Sequence, residues 1–396
     1  MAILNGKYQV KAAAGVAAYP TGRALCIYDN TLYAAFSSAV SKVDIYKSTD
    51  GTTWTSEVSM DFDPVILVAP SYITMCLGPA GELHVFTGGP GADICHHFTY
   101  TIGGSYTQEA TANYNSHWAV YYDGTDFHTL TATGALLKYG IKQPGVAWAF
   151  STIYTGVGAL TAYHHDIGIA AAGAPMWGLS YRSPLIGPGA THWDDSTGVW
   201  GSAGAVGTST VPNAGWWDYL FAHKTTTLEM WYSYYRDGVG WDAAARCLDP
   251  AGYPDIDGFF NASPVRSEEN KYYIFTNFYP AGVGVAGLGY LLYDASAPSW
   301  DVYVELADPV GGVGFGMPNS LDHPGHSRGG ACLVHHPTDG LCIYYIDFPM
   351  TAMGDSEIQV AGAWKTITDA QIQVGGAWKD ISEAKIQVGS AWKSLV

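Results

Sequence analysis

Charge is scarce in this chain of 396 residues, of which only 13% are charged. Lysine and arginine together number 18, against 35 aspartates and glutamates, and the formal net charge is −17. This balance disfavours binding to nucleic acid or to an anionic membrane through bulk electrostatics, because both of those surfaces are negative. The charge is compatible with uncharged or cationic partners.

Long apolar segments are also missing. The N-terminus, Met1–Lys7, has no continuous apolar stretch after its positive charge, so no signal peptide is expected. The longest uncharged apolar stretch, around Tyr279–Tyr293, is short for a membrane helix and rich in glycine. We therefore expect a soluble protein that is made in a cytoplasm.

The six cysteines show no CxxC spacing, which argues against a zinc site of the usual kind. Cys26, Cys76 and Cys332 occupy similar places in a repeat described below, and this is typical of small buried core residues. We expect reduced thiols, no metal and no cofactor.

Runs of Ala, Leu, Glu and Lys at helical spacing are absent, whereas glycine (48 residues) and aromatic residues (14%) are abundant. Glycine with Tyr, Trp and Thr favours strands joined by tight turns. The composition therefore predicts an all-β protein.

An apolar strand, a tight turn and a second apolar strand recur about every 45 to 50 residues. The first apolar residues after these turns are Leu32, Leu83, Phe127, Met176, Leu228, Tyr272 and Leu341. The last interval (341 − 272) is 69 residues, which predicts an insertion near Tyr279–Gly325. Units of this length predict the blades of a β-propeller, six or seven in number, with Lys7–Lys11 as a strand that completes the last blade.

A second signature is a glycine followed three residues later by a large aromatic side chain, as in Gly51–Trp54, Gly103–Tyr106, Gly145–Trp148 and Gly238–Trp241. Glycine suits the turn between the third and fourth strands, and the aromatic residue packs the outer strand. The run Ser48–Trp54 resembles the Asp-box of sialidase-type (BNR) propellers, although it is one residue short between Asp50 and Gly51. That motif concerns folding, so the resemblance implies a propeller and no catalytic role.

The chain divides into a propeller, residues 1–352, and a repeat tail, residues 353–396. The tail holds three copies of one phrase, beginning at Ile358, Ile372 and Ile386 and ending in Ala-Trp-Lys, with Trp364, Trp378 and Trp392 spaced 14 apart (378 − 364 and 392 − 378). Each copy predicts a short β-hairpin, and the three tryptophans are candidate assembly residues.

Tandem Val-Gly-Gly-Ala-Trp-Lys phrases resemble those in tail and appendage proteins of tailed bacteriophages. The resemblance covers Ile358–Val396 and implies a virion protein that is assembled in the host cytoplasm. A generic β-repeat tail of another oligomeric or surface protein is the alternative.

Candidate ligand-binding residues precede the first strand of each unit, where the innermost strands of a propeller begin near its axis. They are Arg23, Tyr72, His117, Trp118, His164, Trp216, Trp217, His326 and Arg328. Aromatic faces and hydrogen-bonding side chains are what sugar recognition requires. The alternative is that these side chains only fill the axial channel.

Catalysis is not expected from the sequence. A sialidase needs three converging arginines, and of the six arginines only Arg23 and Arg328 occupy matching positions. Loop carboxylates that could serve another glycoside hydrolase occur in pairs: Asp61 with Asp63, Asp194 with Asp195, and Asp255 with Asp257. Neighbouring histidines such as His96 and His97 point to opposite faces of a strand, so each pair gives at most one ligand to a site.

The resemblance of the tail thus implies a bacteriophage virion structural protein of the tail-fibre or appendage type, and the candidate ligand-binding residues predict a propeller that binds a host-surface glycan or another receptor. The repeat tail would join copies of the chain or other virion proteins. A propeller glycoside hydrolase or depolymerase is one alternative, and a purely structural decoration subunit is another.

Overall fold

A computed structural model gives the fold of the chain. It describes residues 2–17, 24–62, 72–78, 81–88, 94–112, 119–122, 125–133, 136–144, 146–155, 166–169, 175–183, 187–191, 193–194, 199–200, 204–205, 210–216, 219–224, 228–236, 240–241, 245–266, 271–294, 299–316, 318–321, 329–350, 357–360, 363–366, 371–374, 377–380, 385–388 and 391–394. Within these residues the only helices are two short 3₁₀ turns, Ala13–Gly15 and Pro250–Gly252. None of the described helices is long and apolar enough to cross a membrane.

The described strands form seven antiparallel sheets of four or five strands. The N-terminal strand β1 (Ala2–Lys11) belongs to the last of them. Sheet 1 contains β2 (Leu25–Tyr28), β3 (Thr31–Ala39), β4 (Lys42–Ser48) and β5 (Thr55–Asp61). Sheet 2 contains β6 (Tyr72–Leu77), β7 (Leu83–Gly88), β8 (Ile94–Tyr100) and β9 (Tyr106–Ala112). Sheet 3 contains β10 (Ala119–Tyr122), β11 (Phe127–Thr133), β12 (Leu136–Lys142) and β13 (Ala149–Thr155).

Sheets 4 and 5 carry extra short strands. Sheet 4 contains β14 (Asp166–Ile169), β15 (Pro175–Ser183), β16 (Gly187–Thr191) and, beyond the hairpin of β17 (Trp193–Asp194) and β18 (Val199–Trp200), β19 (Gly204–Ala205). Sheet 5 contains β20 (Thr210–Trp216), β21 (Tyr219–Lys224), β22 (Met230–Arg236), β23 (Gly240–Trp241) and β24 (Ala245–Leu248), the last of which pairs with β22.

Sheets 6 and 7 complete the set. Sheet 6 contains β25 (Ile256–Arg266), β26 (Lys271–Pro280), β27 (Gly287–Asp294) and β28 (Ser299–Ala307). Sheet 7 contains β29 (Asn319–Ser320), β30 (Gly330–His336), β31 (Gly340–Met350) and β1, in that order.

The first strands of successive sheets contact one another from β2 through β6, β10, β14, β20 and β25 to β29. The backbone N–H of Ala24, next to β2, donates to Oδ1 of Asn319 in β29 at 2.8 Å. Ser263 in β25 donates through Oγ to Oγ of Ser320 in β29 at 2.9 Å. The sheets therefore form a closed ring around their first strands, which is the all-β propeller architecture that the sequence predicts.

One end of the ring, here called the entry face, holds the segments that lead into the first strands. The same end holds the turns between second and third strands: Phe315 N–H donates to Ala286 O at 2.9 Å, and Phe259 N–H donates to Leu228 O at 2.8 Å. The turns between first and second strands lie at the opposite end. The two ends of an innermost strand thus belong to different surfaces.

Turn chemistry matches the sequence at several hairpins. Asp29 (φ 49°) and Asn30 (φ 54°) join β2 to β3 in the left-handed region that these residues tolerate. Gly51 and Gly103, both with φ 73°, lie between third and fourth strands as the glycine-aromatic signature predicts. At the first of these turns, Oδ1 of Asp50 accepts from Ser48 Oγ and from the N–H groups of Thr52 and Thr53, at 3.0, 2.8 and 2.7 Å. These donors hold the pKa of the Asp50 carboxyl well below its ordinary value.

The core lies between the faces of neighbouring sheets. The largest described cluster joins residues of sheets 6, 7, 1 and 2, among them Phe275, Ile343, Phe36 and Phe98. A second cluster joins sheets 5 and 6, and a third joins sheets 2 and 3. Cys26, Cys76 and Cys332 are free and buried, as predicted for core residues.

The expected insertion near Tyr279–Gly325 is wrong. Residues 287–294, 299–307 and 319–320 are the strands β27, β28 and β29, so this region holds ordinary sheet strands. The long interval arises because Tyr272 follows a turn between first and second strands, whereas Leu341 follows a turn between second and third strands.

The repeat tail forms three two-stranded hairpins, as the phrase predicts. They are β32 (Glu357–Val360) with β33 (Ala363–Thr366), β34 (Gln371–Val374) with β35 (Ala377–Asp380), and β36 (Lys385–Val388) with β37 (Ala391–Ser394). In every hairpin the tryptophan is paired with a glutamine and the following lysine with an isoleucine. The repeats are therefore structurally equivalent at the level of strand register.

Candidate functional site

The predicted ligand-binding residues fall into two groups. Tyr72 is the first residue of β6 and so begins an innermost strand at the entry face. Arg23, His117, Trp118 and His164 lie outside the described residues, shortly before β2, β10 and β14 in the sequence. Their role in ligand binding stays a prediction, and it concerns the entry face.

The placement at a strand start is wrong for Trp216. It is the last residue of the innermost strand β20 and is paired with Tyr219 of β21, which puts it at the end opposite to the entry face. Trp217 lies outside the described residues. His326 and Arg328 also lie outside them, between β29 and β30 in the sequence. The sequence analysis took the hairpins before Leu228 and Leu341 to join the first and second strands of sheets 5 and 7. They join the second and third strands, because the innermost strands β20 and β29 come earlier in the chain.

A buried histidine pair lies between sheets 2 and 3. Nδ1 of His84 on β7 is 2.8 Å from Nε2 of His97 on β8, so one ring donates to the other. The ring of His97 stacks on Phe86 at 4.2 Å between centroids, and the ring of His84 lies 4.3 Å from that of Phe127 on β11. Both histidines are buried in the joint between the two sheets.

Two acidic residues and a lysine flank this pair. Nε2 of His84 lies 3.6 Å from Oε2 of Glu82, and Nδ1 of His97 lies 3.9 Å from Oε2 of Glu109. The buried amine of Lys142, on β12 of sheet 3, donates to both carboxylate oxygens of Glu109 at 2.6 and 2.5 Å. Neither His84 Nε2 nor His97 Nδ1 has a hydrogen-bond partner.

Burial keeps both rings neutral at neutral pH. It lowers the pKa of His84 from 6.5 to about 4, with Glu82 opposing and Lys142 reinforcing the shift. Burial also lowers the pKa of His97 well below its ordinary value, and the neighbouring His84 and Lys142 add to the effect. The sequence analysis did not find this cluster, because His84 and His97 meet only through the pairing of β7 with β8.

His96 and His97 lie on opposite faces of β8, as predicted for neighbours on a strand. Nε2 of Gln108 lies 2.9 Å from Nδ1 of His96, whose ring is 4.8 Å from that of Phe62, whereas His97 contacts His84 and Phe86. Over the residues that the structure describes, no group of three or more His, Cys, Asp and Glu is arranged to hold a metal ion.

Four exposed carboxylates of sheet 6 lie together at the entry face. This acidic rim consists of Asp255 and Asp257 at the start of β25, Glu305 near the end of β28, and Asp308 just after it. Oδ2 of Asp257 accepts from Gly282 N–H at 2.9 Å. Partial burial and the charges of Asp308 and Asp255 raise the pKa of the Glu305 carboxyl.

Aromatic rings border the acidic rim. The ring of Tyr303 lies 5.3 Å from that of Tyr253 and 4.8 Å from that of Phe259, both in edge-on geometry. The hydroxyl of Tyr303 is buried without a hydrogen-bond partner, and burial together with Glu305 raises its pKa. Tyr253 is half-buried, so part of its ring faces solvent beside the carboxylates.

The other paired carboxylates are less informative. Oδ1 of Asp61 lies 3.3 Å from the amine of Lys42, and the carboxylate is exposed. Asp63 and Asp195 lie outside the described residues. Asp194 is described only by its backbone, as a residue of β17. Of the three carboxylate pairs, only Asp255 and Asp257 therefore have both side chains described, and Glu305 and Asp308 lie near them.

Comparison with known proteins supports the fold. No protein-family pattern and no curated sequence matches the chain. An ulvan lyase from a new family of polysaccharide lyases, solved with a GlcA(1-4)Rha3S glycan, superimposes with a TM-score of 0.56 and 10% identity over 87% of this chain and 96% of its own. Polysaccharide lyase Uly1 superimposes with a TM-score of 0.51 and 11% identity over 87% of this chain and 100% of its own. Inactive virginiamycin B lyase from Staphylococcus aureus, solved with quinupristin, superimposes with a TM-score of 0.52 and 12% identity over 87% of this chain and 98% of its own. At these identities the likeness concerns the fold.

Proposed function

We propose that the chain is a virion protein of a tailed bacteriophage whose propeller binds a host-surface glycan, or another receptor, without cleaving it. The repeat tail joins the protein to further copies or to other virion proteins. The observation that carries the binding proposal is the closed ring, whose innermost strands begin at a single entry face.

Residue chemistry at that face supports glycan recognition. Tyr72 begins β6, and the sequence places Arg23, His117, Trp118 and His164 just before three other innermost strands. Aromatic rings receive the C–H face of a sugar, and histidine and arginine side chains bond its hydroxyls. The same fold in two polysaccharide lyases is consistent with a long glycan as the ligand.

The tail supports an assembly role. Isolated two-stranded hairpins are marginally stable in water, and their unpaired edges invite further pairing. Within the described residues each tail hairpin has only two strands. Three equivalent hairpins therefore need a surface to pack on, which is consistent with the phage-like phrase in their sequence.

A depolymerase is the second candidate, and the acidic rim favours it. A carboxyl with a raised pKa beside other carboxylates is a usual arrangement for acid–base chemistry, and Glu305 beside Asp255 and Asp308 provides it. A structural decoration subunit without a ligand is the third candidate.

Incubation of the full chain with host-surface polysaccharide separates the three candidates. Retention without shorter products supports binding, and new reducing ends or unsaturated ends support a depolymerase. If the polysaccharide is neither retained nor shortened, the decoration role is supported. The variant Tyr72→Ala should weaken retention about tenfold, as expected for loss of a stacking platform. Tyr28→Ala is the matched control, since Tyr28 is an exposed tyrosine at the far end of the innermost strand β2. Equal retention by both variants would contradict binding at the entry face.

The assembly role has its own test. Deletion of residues 354–396 should leave the propeller folded, with unchanged circular dichroism, and should lower the mass measured by light scattering or abolish incorporation into particles. An unchanged mass and normal incorporation would contradict the assembly role.

A further inference from the structure

Three exposed valines lie on two glycine-rich turns at the entry face of sheet 6. Val283 follows β26, and Val310 and Val313 follow β28; their side chains are 50%, 42% and 49% exposed. The two segments are joined by the hydrogen bond from Phe315 N–H to Ala286 O. These two neighbouring turns, here called the valine turns, are an apolar part of the entry face.

The valine turns are held by backbone hydrogen bonds, and their glycines border open space. Val310 and Val313 exchange backbone hydrogen bonds of 3.2 and 3.0 Å across Gly311 and Gly312, whose φ values are 61° and 76°. A Cβ atom built on either glycine, or on Gly282 or Gly284, would meet no atom within 4 Å. The turns therefore present the valines to solvent in a fixed geometry, which lowers the entropic cost of covering them.

The acidic rim surrounds this apolar surface. Asp257 binds the backbone of Gly282, next to Val283, and Asp308 is two residues from Val310. Among the described residues, no lysine, arginine or histidine forms an ion pair with Asp255, Asp257, Glu305 or Asp308. A partner that covers the valines therefore gains if it also brings positive charge, because it relieves repulsion between the carboxylates.

The tail of this chain has the complementary chemistry. Each repeat places a lysine directly after a tryptophan, at Lys365, Lys379 and Lys393. Residues 357–396 carry four acidic and four basic residues, so the net charge of −17 falls on residues 1–356. The tail is thus the part of the chain that can approach the acidic propeller without electrostatic repulsion.

Topology separates the start of the tail from the valine turns of its own propeller. β31 begins at the entry face, beside the turn between second and third strands, and runs to Met350 at the opposite end. Its eleven residues span about 33 Å. The seven steps from Met350 to Glu357 reach at most about 25 Å. Glu357, where the first hairpin begins, therefore lies short of the entry face of its own propeller, whereas this limit does not apply to the entry face of a neighbouring copy.

We propose that the tail of one copy docks on the valine turns and acidic rim of a second copy, with a tryptophan of one hairpin on the valines and a lysine of another hairpin on the carboxylates. The proposal rests on the assembly role proposed for the tail and names the surface it uses. Such a contact joins two different surfaces, so it is heterologous and forms rings or chains of copies. In this arrangement lysine occupies the carboxylates, so the rim serves assembly and not the depolymerase chemistry considered above.

Carbodiimide cross-linking of the full chain tests the contact directly, because the reagent joins an amine to a carboxylate without a spacer. Isotope-labelled and unlabelled chains are mixed at high salt, returned to low salt, cross-linked and analysed by mass spectrometry. We expect mixed-isotope products between Lys365, Lys379 or Lys393 and Asp255, Asp257, Glu305 or Asp308, and their loss at high salt. Products within single chains alone, or none with these carboxylates, would overturn the proposal.

Surface variants give an independent readout by light scattering. Val283→Ser combined with Val313→Ser should reduce the associated fraction at least fivefold, as should Asp255→Asn combined with Asp308→Asn. Val146→Ser is the control, since Val146 is 53% exposed but lies between β12 and β13 of sheet 3. If the tail deletion abolishes association but the valine variant and the carboxylate variant both leave it intact, this docking surface is overturned while the assembly role stands. A tail deletion without effect on mass or on incorporation overturns the assembly role as well.

Discussion

Nδ1 of His84 and Nε2 of His97 lie 2.8 Å apart in the buried joint between sheets 2 and 3. One proton fits on the line between these atoms, so the two rings share it as donor and acceptor. If both rings were charged, two N–H groups would face each other beside the buried amine of Lys142. The joint is therefore built for neutral histidines.

Acid should weaken this joint. The pKa of His84 in the folded protein is about 4, below its ordinary value of 6.5, and that of His97 is also lowered. As pH falls below 6.5, the unfolded chain takes up protons that the folded chain refuses, so the free energy of unfolding decreases. At pH 5 one such histidine costs about 2 kcal/mol. Urea unfolding between pH 7 and pH 5 measures the slope.

The double variant His84→Gln with His97→Gln is the matched test, because glutamine keeps a polar, uncharged side chain at both positions. Its free energy of unfolding should depend less on pH in this window than that of the wild-type chain. The same slope in both proteins would show that the pair does not titrate as described.

Loss of a single hydroxyl should loosen the closure of the ring. Tyr345 in β31 donates through its buried hydroxyl to Gly51 O in sheet 1, at 2.7 Å. Tyr345→Phe leaves that carbonyl without this donor and should lower the free energy of unfolding by about 1 to 2 kcal/mol. Tyr8→Phe is the control, since the ring of Tyr8 lies 5.7 Å from that of Tyr345 and no hydrogen bond of its hydroxyl is described. Equal destabilisation by the two variants would contradict this role for the Tyr345 hydroxyl.

Gly340 should be far less tolerant than Gly103, although both have positive φ, of 88° and 73°. A Cβ on Gly340 would lie 2.3 Å from Ala13 N and 2.5 Å from Lys11 O, whereas one on Gly103 would meet nothing within 4 Å. Gly103→Ala should cost about 1 kcal/mol for backbone strain, and Gly340→Ala at least 2 kcal/mol more. Thermal unfolding compares the two, and a similar loss in both would mean that the Lys11–Ala13 backbone yields easily.

The turn at Asp50 is held by three hydrogen bonds that the carboxylate accepts. Asp50→Ala removes the acceptor of three hydrogen bonds and should cost about 1 to 2 kcal/mol. Asp50→Asn keeps an oxygen acceptor and should cost clearly less. Because the pKa of Asp50 is lowered, its contribution is present above about pH 4 and fades as the pH falls. Chemical unfolding of both variants at pH 7 checks the order, and an equal cost would assign the effect to charge.

The sequence predicted the all-β class, the propeller architecture and the tail hairpins because each depends on local signals. Turn residues such as Asp29, Asn30 and Gly51 and the repeated Ala-Trp-Lys phrase act within a few residues of each other. Sequence spacing could not show which strands a turn joins. The hairpin before Leu341 has the same chemistry whether it follows a first or a second strand, and β29, with two residues, is too short for any periodic pattern.

The candidate site was harder to predict for the same reason. A shift of one strand moves a residue from the entry face to the opposite end of the ring, as happened with Trp216. The pairing of His84 with His97, and the approach of Glu305 to Asp255 some fifty positions away, require strand register across a sheet. Composition and spacing contain no signal for such contacts.

The pairing of β1 with β31 also sets the order in which the chain can finish folding. During synthesis β1 waits for a partner that ends at Met350, almost the full length of the propeller later. Until then β1 is an unpaired edge, and the growing sheets can be built but not closed. Ring closure is therefore a late step, because it requires the chain up to Met350 to be available for pairing with β1.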